Sequence, residues 1–283
     1  MSLVPMSRQL RAPKPSGLAV APLAPAPPLD QWLWVKLYGP PERQTEILTG
    51  HLSGLWESRT GRWAQWWFDR CCDPDDHLRL RVRVPRLGRL TGLVERVTGR
   101  AEDLHRLGLV EHVQWGTCSP EAELAAAEEV FAADSRAAVA ELRSGLHQQV
   151  VTAASLLNLV IDFMGDADTA VHWVNDHLDR TDAAPVGRDI HDQALQLASP
   201  EHYFSALRAT AAGPAVEQTW LPRFFAVHAY RQRLDAQGET GLDAALASLL
   251  HTHHLRVFGN DAACERTCYQ LARSAAQAWI ARR

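Results

Sequence analysis

The segment from residue 77 to residue 84 constrains the fold more than any other, because polar and apolar side chains alternate in it without exception. The apolar positions are Leu78, Leu80, Val82 and Val84, and the polar positions are His77, Arg79, Arg81 and Arg83. Successive side chains of a β-strand point to opposite faces of the sheet. The segment therefore predicts a strand with one face packed in a core and the other face carrying a row of arginines.

Three further strands and two helices are predicted around this strand. Strand patterns occur at residues 32–38, 63–72 and 110–115, and helical spacing occurs at residues 40–56 and 87–107. The resulting order β-α-β-β-α-β is typical of the ferredoxin-like unit, in which two helices cover one face of a four-stranded sheet. We therefore expect the arginines to lie on the open face.

The remainder of the chain has the apolar spacing of helices. Helical patterns occupy residues 121–142, 147–164, 169–178, 200–212, 220–236, 242–258 and 262–280. The prediction is an α+β protein, with a ferredoxin-like half at residues 29–118 followed by a mainly helical half at residues 119–283. Together these form one predicted catalytic domain, preceded by a disordered proline-rich arm at residues 1–28.

Charge and motifs exclude several classes of function. The chain of 283 residues has a formal net charge of -4, so no global positive field exists to hold a nucleic-acid backbone or an anionic membrane. No apolar run approaches the roughly 18 residues of a membrane helix, and five cysteines are too few for a disulfide scaffold. The usual nucleotide-binding and serine-hydrolase motifs do not occur. We expect a cytoplasmic protein without direct nucleic-acid or membrane contacts.

Two groups of side chains are candidates for chemistry. Arginines at alternate strand positions lie about 7 Å apart, so two guanidinium groups could grip a carboxylate. The alternative is a solvated face paired with acidic side chains of a neighbouring strand. The second group is His251, His253 and His254, followed by Cys264 and Cys268. His251 and His254 could join the cysteines around zinc, but the spacing matches no specific zinc signature, and such cysteines more often pack as small apolar side chains. We expect no metal, and His251 remains a candidate acid or base.

Three blocks resemble a known family. They are Trp-Trp-Phe-Asp-Arg at residues 66–70 with Asp-Pro-Asp-Asp-His-Leu-Arg-Leu-Arg at 73–81, Phe-Ala-Ala-Asp-Ser at 131–135, and Ser-Leu-Leu-His-Thr-His-His-Leu-Arg-Val-Phe-Gly at 248–259, followed by Glu265. The chain is similar to the thiopeptide-type bacteriocin biosynthesis family, which includes the C-terminal domain of class I lantibiotic dehydratases. The last block follows the family pattern Ser-x-x-His-x-x-x-x-Arg-x-x-Gly.

This resemblance implies glutamate elimination. A serine or threonine of a ribosomally made precursor peptide with a leader, glutamylated from glutamyl-tRNA by a separate enzyme, would lose glutamate to give dehydroalanine or dehydrobutyrine. The positions that match the family's catalytic residues are Arg79, Arg81 and His251. We expect Arg83, His77, Trp34 and Arg256 to contribute to substrate binding, no cofactor to be needed, and a homodimer to be possible.

Two departures from the family pattern leave alternatives open. The family's Arg-Tyr-Gly-Gly segment, which holds a third arginine, has no counterpart at residues 117–124, and Leu255 replaces a usual asparagine. The family also includes thiopeptide pyridine synthases, which join two dehydroalanines by a formal aza-[4+2] cycloaddition and expel the leader peptide. A third alternative is a partner that binds the leader peptide without chemistry of its own.

Overall fold

The structure is a computed structural model that describes residues 31–52, 65–84, 90–118, 127–178, 185–238 and 241–283. The predicted arm at residues 1–28 lies outside these ranges. So do residues 53–56 of the first predicted helix, and residues 119–124 of the segment that departs from the family pattern.

Four strands form one antiparallel sheet. They are β1 (Gln31–Tyr38), β2 (Trp66–Cys71), β3 (His77–Val84) and β4 (His112–Cys118), in the spatial order β2-β3-β1-β4. Helix α1 (Pro41–Glu46), which continues as a π-helical turn at Ile47–His51, follows β1, and helix α2 (Leu90–Arg106) follows β3. The predicted β-α-β-β-α-β unit is confirmed.

The apolar face of the sheet packs in a core of its own. Leu78, Leu80 and Val82 of β3 are at most 2% exposed, as the alternation predicts. They pack with apolar side chains of β1, of the π-helical turn and of α2, which include Leu33, Val35, Leu48 and Leu104. Burial of this face leaves His77, Arg79, Arg81 and Arg83 on the opposite face.

The second half is helical, and the α+β prediction is therefore confirmed. Its helices are α3 (Glu128–Arg143), α4 (Gln148–Met164), α5 (Ala167–His177), α6 (Arg188–Leu197), α7 (Ser205–Arg208), α8 (Gly213–Gln237), α9 (Leu242–Phe258) and α10 (Ala262–Ala281). Within the described ranges, no single helix is long and apolar enough to cross a membrane. The pair α4 and α5 passes that test of length and composition only when joined across a 118° bend.

Three details of the helical half differ from the prediction. Helix α8 begins at Gly213, seven residues before the predicted start. Helix α6 was not predicted, and the single helix predicted at residues 200–212 is wrong, because only Ser205–Arg208 is helical there. His202, Tyr203 and Phe204 have φ of 47°, 56° and 57°. Consecutive residues in this left-handed region cannot belong to a right-handed helix.

The helical half closes one edge of the sheet. β2 is an edge strand, and an edge strand presents unpaired backbone groups. The Phe68 N–H donates to Ser135 Oγ of α3 over 3.1 Å, and the Phe68 carbonyl accepts from Arg256 Nε of α9 over 3.0 Å. Helices α3 and α9 are therefore fixed against β2 by side chains that replace a missing neighbouring strand.

Candidate functional site

The strand register assembles the polar face around the arginines. Arg81 of β3 lies opposite Trp34 of β1 and Trp67 of β2. Arg79 lies opposite Lys36 of β1 and Asp69 of β2. Because directly paired residues of antiparallel strands share a face, these side chains surround the two arginines. We call this surface the arginine face.

Arg79 and Arg81 have different neighbours. Nη2 of Arg79 donates to Asp69 Oδ2 over 2.9 Å, and its side chain is 34% exposed. The guanidinium of Arg81 lies 4.8 Å from the centre of the Trp67 ring. Stacking on an aromatic ring holds a guanidinium in place without using all of its donors. The two cations are therefore held side by side, one by an ion pair and one by a ring.

Trp34 is placed on this face by a glycine of the neighbouring strand. Gly116 of β4 pairs with Trp34, and a Cβ atom at Gly116 would lie 2.6 Å from Trp34 Cζ2. Only glycine leaves room for the indole to lie over β4 at this point. The half-buried Trp34 ring is thereby held beside Arg81.

The other two polar residues of β3 lie at opposite ends of the strand. Nη1 of Arg83 donates to Gln65 Oε1 over 3.1 Å, and the residue is half-buried. His77 is 1% exposed, its ring lies 4.7 Å from the Tyr38 ring, and its Nδ1 is 2.8 Å from the Asp75 carbonyl oxygen. Burial lowers the pKa of His77. The arginine face is therefore closed at the His77 end.

A buried group of charges joins α9 to α3 and α8. Asp134 of α3 accepts from His253 Nδ1 over 2.8 Å, from Arg256 Nη1 over 2.8 Å and from Arg223 Nη1 over 3.0 Å. Nη2 of Arg256 also lies 3.7 Å from Asp69 Oδ1. Asp69 thus contacts both Arg79 on the sheet and Arg256 on α9.

Charge pairing dominates the ionisation of this buried group. Burial alone would raise the pKa of Asp134, but His253 and the two arginines outweigh it and lower that pKa. Burial alone would lower the pKa of His253, but Asp134 and Glu141 outweigh it and raise the pKa to about 9. Both groups are therefore charged at neutral pH.

His251 lies on α9 and contacts a carboxylate of α10. Its Nδ1 is 2.7 Å from Glu265 Oε1, and the Tyr269 hydroxyl donates to the same oxygen over 2.9 Å. The side chain of His251 is 52% exposed, whereas that of Glu265 is 15% exposed. Because a carboxylate only accepts hydrogen bonds, Nδ1 carries the proton, and in the neutral ring Nε2 is the basic nitrogen.

The histidines of α9 and the cysteines of α10 do not form a single cluster in the structure. His254, Cys264 and Cys268 present ligand atoms that all lie within 4.8 Å of one another, while His251 pairs with Glu265. A hydrogen bond with the Cys268 thiol lowers the pKa of Cys264 to about 5. His253, between the two, belongs to the buried charge group.

A large cavity lies away from these residues. A space of about 950 Å³ in the helical half is lined by Asp162, Tyr203, Trp220 and Phe224, among others, and by none of the predicted site residues. Asp162 Oδ2 and Trp220 Nε1 are buried there without a hydrogen-bond partner in the described part of the chain. The predicted site residues therefore lie on the sheet and on α9, not in this cavity.

Sequence reasoning missed four residues that build the site. Lys36 and Asp69 join the arginine face through strand register, Asp134 anchors Arg256, and Glu265 holds His251. Along β1, Trp32, Trp34 and Lys36 alternate with apolar residues, so the local pattern indicates the face of Lys36 but not its neighbour on β3. Asp69, Asp134 and Glu265 lie within or next to the sequence blocks that carry the family resemblance. Membership in these blocks was the sequence feature that could have identified them.

Comparisons with known proteins identify the family and the fold of the chain. The family model for the lantibiotic biosynthesis dehydratase C-terminal domain matches residues 32–276. The tRNA-dependent lantibiotic dehydratase MibB from Microbispora sp. 107891 superposes with a TM-score of 0.75 and 26% identity, over 93% of this chain and 29% of MibB. The pyridine synthase TbtD from thiomuracin biosynthesis superposes with a TM-score of 0.54 and 16% identity, over 87% of this chain and 97% of TbtD.

These matches cover the sheet and the helices alike. The chain spans less than a third of the length of MibB, and its likeness to TbtD concerns the fold. No curated protein matches the chain. Since the family model extends over most of the sequence, the chain is a member of the lantibiotic dehydratase C-terminal family.

Proposed function

We propose that this chain is a lyase that eliminates glutamate from glutamylated serine or threonine in a ribosomally made precursor peptide. The proposal rests on the position of Arg79 and Arg81, which lie two residues apart on the same half-exposed face of the sheet. The chain as a whole has a net charge of -4. Local cations on an otherwise acidic protein favour an anionic substrate group. The glutamyl ester of a peptide supplies such a group.

The reaction needs a base and a means to stabilise anionic charge. Removal of the α-proton leaves an electron pair that forms the Cα–Cβ double bond, while the Cβ–O ester bond breaks and glutamate departs as a carboxylate. Fixed guanidinium groups stabilise the enolate charge that develops and the carboxylates of the leaving group. Arg79 and Arg81 are assigned to this role, with Arg83 and Trp34 beside them contributing to peptide binding.

His251 is assigned as the group that moves the proton. Glu265 holds the imidazole through Nδ1, which leaves Nε2 to accept the α-proton or to donate to the departing glutamate. The same arrangement of carboxylate and imidazole fixes the tautomer of catalytic histidines in unrelated enzymes. The half-exposed ring is accessible to a peptide.

His77 and Arg256 are better explained as positioning residues than as substrate ligands. Both are 1% exposed and hydrogen-bonded within the protein. Arg256 touches Asp69, which holds Arg79, so Arg256 acts on the arginine face through that carboxylate. A leader-bearing precursor peptide and a separate glutamylating enzyme are the partners that this function requires. Cytoplasmic location and a homodimer remain predictions.

Substitution of Arg81 tests the proposal. Arg81→Ala is expected to slow elimination at least about 100-fold, the loss typical of a preorganised charge donor. Arg106→Ala is the matched control, because Arg106 is an exposed arginine of α2 that forms an ion pair with Asp103 of the same helix. Turnover is measured by mass spectrometry on a glutamylated peptide. Equal turnover in both variants would remove Arg81 from the site.

The second candidate function is pyridine synthesis. It is favoured by one observation: the third arginine of the family's elimination site has no counterpart at residues 117–124. A cyclase would hold two dehydroalanines and one amide together on the same face. Incubation of the chain with a peptide bearing two dehydroalanines distinguishes the two functions, since only the cyclase would release the leader and form a pyridine.

A further inference from the structure

Three side chains of two neighbouring helices converge at a point that the proposed elimination chemistry does not use. His254 comes from α9, and Cys264 and Cys268 come from α10, one helical turn apart. One nitrogen and two sulfur atoms all lie within 4.8 Å of one another. His254 and Cys268 are at most 1% exposed, and Cys264 is half-buried.

One polar atom of this group is not satisfied by the described part of the protein. Nε2 of His254 is buried and has no hydrogen-bond partner among the described residues. A buried polar atom without a partner costs on the order of 1–3 kcal/mol. The cysteines are free thiols rather than a disulfide. The two thiols hydrogen-bond to each other, and Cys264 also accepts from the Gln149 amide. The buried imidazole nitrogen is therefore the atom of this group that lacks a partner in the described part of the chain.

The chemistry of the donors selects the ion. Zinc is bound by thiolates at about 2.3 Å and imidazole nitrogens at about 2.0 Å, so its ligand atoms lie roughly 3.5 to 4 Å apart. The ligand atoms of the present group, all within 4.8 Å of one another, exceed that spacing by about 1 Å at most. The Gln149 amide lies 3.5 Å from Cys264 Sγ on the half-exposed side. A fourth ligand can come from this amide or from water.

We propose that His254, Cys264 and Cys268 form a zinc site that fixes α9 against α10. The placement gives the site a consequence for the proposed reaction. His251 lies one turn before His254 on α9, and Glu265 follows Cys264 on α10. An ion bound by the three ligands therefore holds the two helices in the register that brings His251 Nδ1 to Glu265. The zinc site itself does not depend on the proposed reaction.

Metal content tests the site directly. The full chain is produced with zinc in the medium, dialysed against metal-free buffer and analysed by inductively coupled plasma mass spectrometry. About one zinc per chain is expected, as for a structural site of this type. Cys264→Ser and Cys268→Ser are expected to lose it. Cys72→Ser is the matched control, because Cys72 is an exposed cysteine next to β2, and it should retain the metal.

Cobalt provides a readout that does not depend on the variants folding. Metal-stripped wild-type protein titrated with Co²⁺ should develop the charge-transfer absorption of a cobalt thiolate, and zinc should abolish it. The proposal is overturned if the folded wild-type chain holds no zinc and shows no such absorption. It is equally overturned if both Cys264→Ser and Cys268→Ser fold and keep a full complement of zinc. None of these readouts measures elimination, so failure of the proposed function would leave their meaning unchanged.

Discussion

Replacement of Asp134 by asparagine should destabilise the protein more than almost any other change of similar size. Asparagine keeps the volume of the side chain, so no cavity forms and the loss is electrostatic. Three buried cationic groups, on His253, Arg223 and Arg256, would lose their common carboxylate. Removing one partner of a buried ion pair typically costs about 3–5 kcal/mol. Because three partners share Asp134, we expect a loss of about 4 kcal/mol or more.

The melting temperature converts this loss into a measurement. For a domain of this size, 1 kcal/mol corresponds to a shift of roughly 2–4 °C, so Asp134→Asn should melt about 10 °C or more below the wild type. Thermal unfolding followed by circular dichroism at pH 8 provides the value. A melting temperature of Asp134→Asn within about 2 °C of the wild type would contradict this electrostatic role of Asp134.

Asp162→Asn is the matched control for that experiment. Asp162 is also a buried aspartate of the helical half, but its Oδ2 has no hydrogen-bond partner among the described residues, and its Oδ1 lies 3.5 Å from Asn158 Nδ2. Replacing an unsatisfied buried carboxylate by an amide removes a buried charge instead of a partner. At pH 8 this variant should therefore be at least as stable as the wild type. Equal destabilisation by the two substitutions would show that loss of any buried carboxylate has the same effect.

Three further predictions follow from the geometry. Burial raises the pKa of Asp162 to about 7, despite the opposing effect of Arg223. Between about pH 4 and pH 7 the folded chain therefore keeps a proton on Asp162 that the unfolded chain has released. Urea titrations should show the stability of the wild type falling over this range by at most about 4 kcal/mol. Asp162→Asn should show no such fall. Gly116→Ala should cost about 1–3 kcal/mol in urea unfolding because its Cβ would overlap Trp34. Gly99→Ala should be neutral or stabilising, because Gly99 is an exposed helical position where a Cβ atom would meet no described atom beyond its own helix backbone and chain neighbours within 4 Å. Affinity for a glutamylated peptide, measured by fluorescence anisotropy, should fall as salt screens the arginine face, and an affinity independent of salt would argue against that surface.

The sheet was predictable because strand periodicity is a local property. The alternation at residues 77–84 identified both faces of β3, and Leu78, Leu80 and Val82 are buried as expected. Its neighbours were not predictable to the same extent, because register brings Asp69 and Lys36 to Arg79 from other strands. Local pattern fixes which face a side chain occupies, while pairing between strands fixes what it touches.

The helical half shows where local pattern is insufficient. Residues 200–212 have helical spacing, yet three of them adopt left-handed backbone angles. Phe204, one of these three, is 3% exposed and its ring lies 5.1 Å from the Trp220 ring, so core packing at this point overrides local propensity. The pairing of His253 with Asp134 joins residues 119 positions apart, and no local pattern encodes it.

The histidines of α9 were predictable in their position on the helix but not in their contacts. Helical periodicity correctly places His251 and His254 on one side of α9, and it could not decide which of them meets the cysteines of α10. The answer depends on how the two helices lie against each other, which brings Glu265 to His251 and Cys264 to His254. That arrangement is a property of helix packing and not of either helix alone.

The decisive measurement is mass spectrometry of a glutamylated serine-containing precursor peptide incubated with this chain alone. We expect loss of one glutamate for each glutamylated residue, with formation of dehydroalanine by the wild type and not by Arg81→Ala or His251→Asn. A folded wild-type chain that leaves every glutamyl ester on the peptide would contradict it. A chain that converts two dehydroalanines into a pyridine would replace elimination by cyclisation as the function of this site.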